Sequence, residues 1–116
     1  MKQKINGLTD NSLQKLRVDI PNDEGSMDIV LKFLPTQSAW VMDYTYKNIT
    51  SCGNKLVLSP NLLREFRNII PFGIAVEASD SIPPMEITAF SSGRVTLNIL
   101  DKEYVDNLAR GLYVRN

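Results

Sequence analysis

The sequence predicts a mainly β domain: a small antiparallel barrel or sandwich of about six to seven strands, with one short central helix and a C-terminal helix as a further option. Three observations lead there. Short apolar segments alternate with polar residues at the two-residue period of a half-buried strand. Clusters of Pro, Gly, Asn, Asp and Ser separate these segments at short intervals. No strand-helix-strand alternation of the kind that builds a parallel nucleotide-binding sheet is visible.

Residues 1–14 form a polar arm in this reading, and residues 15–116 the β-rich domain. The arm lacks sustained periodicity and contains Asn6-Gly7 and Asp10-Asn11-Ser12, which favour turns. Leu16, Val18 and Ile20 alternate with Arg17 and Asp19 until Pro21 stops a first strand. The turn-rich run Pro21 to Ser26 leads to a second strand, Met27 to Leu34, and the two pair as a hairpin. After Pro35-Thr36-Gln37-Ser38, the aromatic and β-branched run Ala39 to Tyr46 supplies a third strand and completes a meander. Loop formers fill Asn48 to Asn54, and a brief fourth strand is expected over Lys55 to Leu58.

Ser59 stands as a helix N-cap with Pro60 at the first helical position, and Leu62, Leu63, Phe66 and Ile70 recur at helical spacing, so the central helix is placed over about 61–68. Pro71 closes it, and Phe72 to Ala78 reads as a buried strand. Asp80 to Pro84 is a loop, because two consecutive prolines do not suit a ladder. Met85 to Phe90 is expected as a short edge strand and Ser91-Ser92-Gly93 as a turn. Arg94 to Leu100 alternates clearly, with Val95, Leu97 and Ile99 on the core face. From the N-cap candidate Asp101, Val105, Leu108, Ala109 and Leu112 fit a terminal helix; the alternative is a further strand ending in Leu112-Tyr113-Val114.

The chain has 116 residues, enough for one core that buries well over half of the unfolded surface. Thirteen Lys and Arg balance thirteen Asp and Glu, so there is no net field to gather a nucleic acid and little self-repulsion between copies. Homo-oligomerisation is therefore expected, and a nucleic-acid partner is not. The lone Cys52 cannot form an internal disulfide, and neither a signal peptide nor a membrane span is apparent, which points to synthesis in the cytoplasm and no membrane partner.

The absence of histidine removes the commonest general base and the commonest metal ligand together. Ser59 and Ser92 sit in cap and turn contexts that account for them without a Ser–Lys mechanism. The carboxylate pairs Asp23-Glu24, Glu77 with Asp80, and Asp101 with Glu103 lie in turns or at element ends, where such residues serve the local backbone. One cysteine cannot build a zinc site, and six dispersed glycines make no phosphate loop. Lys15, Arg17, Arg64, Arg67 and Arg94 with Tyr44 or Tyr46 would imitate a single-strand-binding face, but intervening acids dilute it. Asn48-Ile49-Thr50 matches a glycosylation acceptor with no secretory signal to make use of it. The expectation is a non-enzyme with no catalytic residue, metal or cofactor, acting by binding other proteins. A small regulatory or inhibitory protein-binding domain is one form of that expectation.

A more specific form comes from the order of local motifs. Trp40-Val41-Met42-Asp43 precedes Gly53, Leu56-Val57-Leu58 and Asn61-Leu62-Leu63; Pro71-Phe72-Gly73, Pro83-Pro84, Phe90-Ser91-Ser92-Gly93-Arg94 and Leu97 follow. From about Val18 to Leu100 this order resembles the phage baseplate plug family, small structural proteins typified by the plug of a cyanophage contractile-tail baseplate. The resemblance implies a virion component at the central hub of the tail baseplate, packed with hub and tail-tube proteins near the closed end of the tube. The N-terminal arm and the terminal helix depart from that pattern. Trp40, Phe66, Phe72 and Phe90 are the candidate anchors for an interface or for the core, and Gly73 and Gly93 are candidates for special backbone geometry.

Overall fold

The computed structural model describes residues 2–20, 25–63 and 70–109. Its elements in chain order are β1 (Lys2–Lys4), β2 (Leu13–Asp19), β3 (Ser26–Leu34), β4 (Ala39–Tyr46), β5 (Ile49–Lys55), β6 (Gly73–Ala78), β7 (Val95–Leu100) and α1 (Lys102–Ala109), with a 3-10 turn at Pro35–Gln37. They make two antiparallel sheets, one ordered β2-β3-β4-β5 and the other β1-β7-β6. The sheets do not close into a barrel, so of the two expected architectures the chain adopts the sandwich.

The meander forms because its turns are encoded locally. Leu34 pairs with Ala39 across the Pro35–Gln37 turn, and Ser38 closes that turn in the left-handed region at φ 48°. Tyr46 pairs with Ile49 across Lys47-Asn48, with Lys47 at φ 54°. The fourth strand therefore starts earlier than expected: Ile49–Lys55 is strand, not loop, and Lys55 is its last residue. The loop formers Cys52 and Gly53 are absorbed by a bulge opposite Asp43, where the register between β4 and β5 shifts.

The core lies between the sheets. Met27, Ile29 and Leu31 from β3 and Trp40, Met42, Tyr44 and Tyr46 from β4 face Ile74 and Val76 from β6 and Val95, Leu97 and Ile99 from β7. The period-two pattern makes this possible, since each strand turns one apolar set inward. On the other face of the smaller sheet, Ala75 and Leu100 pack against Val105 of α1, with Tyr104 and Leu108 beside them. Asp101 caps that helix, its Oδ1 accepting the Tyr104 N–H at 2.9 Å. Of the two C-terminal readings the helix is the one formed through Ala109, and the alternative strand at 112–114 lies outside the described residues.

Further differences from the expected elements concern the N-terminal arm and the segment before β7. Residues 2–4, read as part of a polar arm, form β1 and pair with Leu100, Ile99 and Asn98; Leu13 and Gln14, also assigned to the arm, open β2. The pairing on β7 is reinforced by an ion pair from Lys2 to Glu77 at 2.9 Å and by Asn98 donating to the same carboxylate. Met85 to Phe90 is not a strand but a series of turns closed by Ala89 N–H to Glu86 O and Gly93 N–H to Phe90 O. Ala89 N–H turns back to Glu86 O within the segment, where a strand would extend it to a neighbouring strand. The expected central helix over 61–68 falls largely on residues 64–69, outside those described. Among the described residues no helix is long and apolar enough to cross a membrane.

Candidate functional site

Some of the motif residues that the sequence strings over more than fifty positions, Trp40, Phe90, Gly93 and Arg94, converge on the loop that carries Pro83-Pro84. Trp40 is fully buried from β4, with its ring 5.4 Å from Phe33 and edge-on to Phe90 at 5.3 Å. Its Nε1–H donates to the Glu86 carbonyl at 3.0 Å. Arg94, just before β7, reaches the same loop from the other side: Nη1 donates to Asp80 Oδ1 at 2.8 Å and the Ile82 carbonyl at 2.7 Å, and Nη2 donates to the Pro83 carbonyl at 3.1 Å and to the Glu86 carboxylate. Asp80 also accepts the Ile82 N–H at 3.1 Å, turning the chain locally. Partial burial pushes the Asp80 carboxyl up, but the Ile82 N–H and Arg94 outweigh it and hold the group below the usual carboxylate range.

This clamp has a physical logic. A loop with two consecutive prolines cannot satisfy its backbone by joining a ladder. Its carbonyls at Ile82, Pro83 and Glu86 are taken up instead by two side-chain donors fixed to the core. Pro84 is buried against the body of the domain. The residues around it point outward: Ile82 is 49 % exposed, Met85 53 % and Ile87 38 %. Three large apolar side chains are thus held in water on a segment whose shape is set by the core. Gly93, at φ 80° with open space around its α-carbon, provides the backbone turn that brings Arg94 into place.

The other candidate residues lie elsewhere. Phe72 is fully buried with its ring edge-on to Tyr46 at 4.9 Å. Gly73 has no left-handed φ; what it provides is close approach, since a β-carbon there would sit 2.6 Å from Asn61 Oδ1. That oxygen accepts the N–H groups of Leu63 and Ile74 at 3.0 and 3.1 Å, tying the segment after Ser59 to β6. Phe66 lies outside the described residues.

The weighed carboxylate pairs do not assemble. Glu77 is held by Lys2 and Asn98, Asp80 by Arg94, and Asp101 caps α1, while Asp23 and Glu24 are outside the described residues. Nor does the basic aromatic face form among the described residues, because Tyr44 and Tyr46 belong to the core and Arg94 to the clamp, while Arg64 and Arg67 lie outside those described. Among the described residues no three His, Cys, Asp or Glu side chains gather as a metal-holding group.

The sequence reading missed the clamp function of Arg94 and the buried bracing by Asn61. A signal for the loop was present: Ile82, Met85 and Ile87 flank a double proline with no strand period to absorb them. Compared with known protein families and with curated proteins, the chain matches none.

Proposed function

We propose that this protein is a structural, protein-binding subunit that plugs or organises the central hub of a contractile phage-tail baseplate, packing with hub and tail-tube proteins and with copies of itself in the virion. The single observation that carries its protein-binding half is the pinned apolar loop, Asp80 to Ile87. Ordering a contact segment before binding removes part of the entropy cost of association, and apolar side chains ringed by polar ones are how interface centres are built. The phage assignment rests on the resemblance between Val18 and Leu100, whose Trp40, Phe90, Gly93 and Arg94 are residues that hold or abut this loop.

Light scattering coupled to size-exclusion chromatography, on the protein alone and mixed with baseplate hub and tail-tube proteins, tests the reading. The expected result is a complex that Ile82→Asp with Met85→Asp abolishes while leaving the thermal midpoint unchanged, because both side chains are exposed in the free protein. A strict monomer that joins none of these proteins would sink it.

A further inference from the structure

A second surface lies away from the loop, where the sandwich fails to close. The free edge of β6 is covered, since Ser59 and Val76 exchange backbone hydrogen bonds and Leu62 N–H donates to Ile74 O. No such cover exists for β1 and β2 among the described residues. They border a groove of about 440 Å³ whose lining includes Lys4, Ile5, Lys15, Arg17, Asp19 and Ile99.

The hydrogen-bond pattern shows which backbone groups look into that opening. Phe33 N–H donates to Ser12 O and Ile20 N–H to Gly25 O, so in the β2–β3 ladder the even-numbered residues from 12 to 20 bond to β3. The N–H and C=O groups of Lys15, Arg17 and Asp19 therefore point to the free edge. On β1, Ile5 N–H donates to Leu97 O, which by the same alternation turns the backbone of Lys4 away from β7. Two unpaired strand edges thus meet at one groove. Its charge is lopsided: Arg17 is neutralised by Asp28 at 2.8 Å, with Asp19 also near, whereas Lys4 and Lys15 have no acidic partner among the described residues.

We infer that this groove takes an extended acidic segment of a partner polypeptide, which adds as a strand to the free edge of β2 with its carboxylates on Lys4 and Lys15. Main-chain pairing supplies the affinity and the lysines select the charge. The inference is independent of the loop, so the Ile82 and Met85 variants leave it untouched.

The test is amide hydrogen exchange with a short blocked peptide of repeating Glu-Val, against its Lys-Val counterpart and a single-stranded oligothymidylate. In the free protein the amides of Lys15, Arg17 and Asp19 exchange fast while those of Leu16 and Val18 are protected. The acidic peptide at millimolar concentration is expected to protect all three, and the lysine peptide and the DNA none. Lys4→Glu with Lys15→Glu weakens binding about tenfold. Lys15→Pro removes an edge N–H without touching the β2–β3 ladder, so it keeps the native circular dichroism and loses the peptide. No protection with the acidic peptide, equal protection with either control, or undiminished binding by a folded Lys15→Pro protein would overturn the inference.

Discussion

At Gly73 the requirement is for space, where the usual reason for glycine is a positive φ. Its α-hydrogen faces the buried Asn61 amide, and a methyl group would fall 2.6 Å from an oxygen already fixed by two backbone donors. Asn61 cannot swing away without abandoning those bonds in the core. Gly73→Ala is therefore expected to cost roughly 1–3 kcal/mol in urea denaturation, by overpacking against a side chain that has no room to give. Gly93→Ala meets nothing within 4 Å, and its cost is the left-handed backbone alone, on the order of 1 kcal/mol. Equal effects of the two would mean that the Asn61 contact relaxes freely. From sequence both glycines read as backbone geometry, because the neighbour that decides Gly73 is twelve residues away along the chain.

Among the elements, the β4–β5 pair shows why turn residues misled the sequence reading. Ser51, Gly53 and Asn54 have low strand propensity, yet an edge strand carrying a bulge accommodates them, while Asn48 stays in the turn before it. Gly53, at φ 72°, donates its N–H to Asp43 Oδ1 at 2.7 Å, and Lys32 on β3 pairs with the other oxygen at 2.9 Å. The aspartate of the Trp40–Asp43 motif is thus a bulge cap. The Gly53 N–H first, and Lys32 second, hold its carboxyl below the usual range. A depressed folded-state pKa stabilises the fold above the unfolded value, about pH 4, and that contribution is lost as pH falls through the lowered folded value. Asp43→Asn is expected to lower the thermal midpoint at neutral pH and to flatten its acid decline, the two curves converging once the pH has fallen through the lowered folded value. Parallel curves down to that value would show that Asp43 contributes nothing through its charge. The strands with clean alternation, β3, β4 and β7, were legible because each turns one apolar set at a two-residue period into the core between the sheets. β1 was not: its three exposed polar residues carry no pattern, and only pairing with β7 makes them a strand.

For the whole molecule, the clamp links the core to the surface that the proposed function uses. Trp40 belongs to the larger sheet and Arg94 leads into the smaller one, so the loop between them is held jointly by both layers of the sandwich. The loop's shape then depends on a few directed bonds, and these can be cut without emptying the core. Arg94→Lys keeps a positive charge but not the fork that reaches Asp80, Ile82, Pro83 and Glu86 together. Its expected effect is local: faster amide exchange at Ile82 and Ala89, whose N–H groups bond within the loop, with protection in β3, β4 and β7 unchanged. Association through the loop should weaken in the same variant, since a segment that must be ordered on binding loses what the clamp supplied beforehand. If exchange at those amides stays as slow as in the parent protein, the loop is shaped by Trp40 and Pro84 alone, and Arg94 serves only to neutralise Asp80 and Glu86.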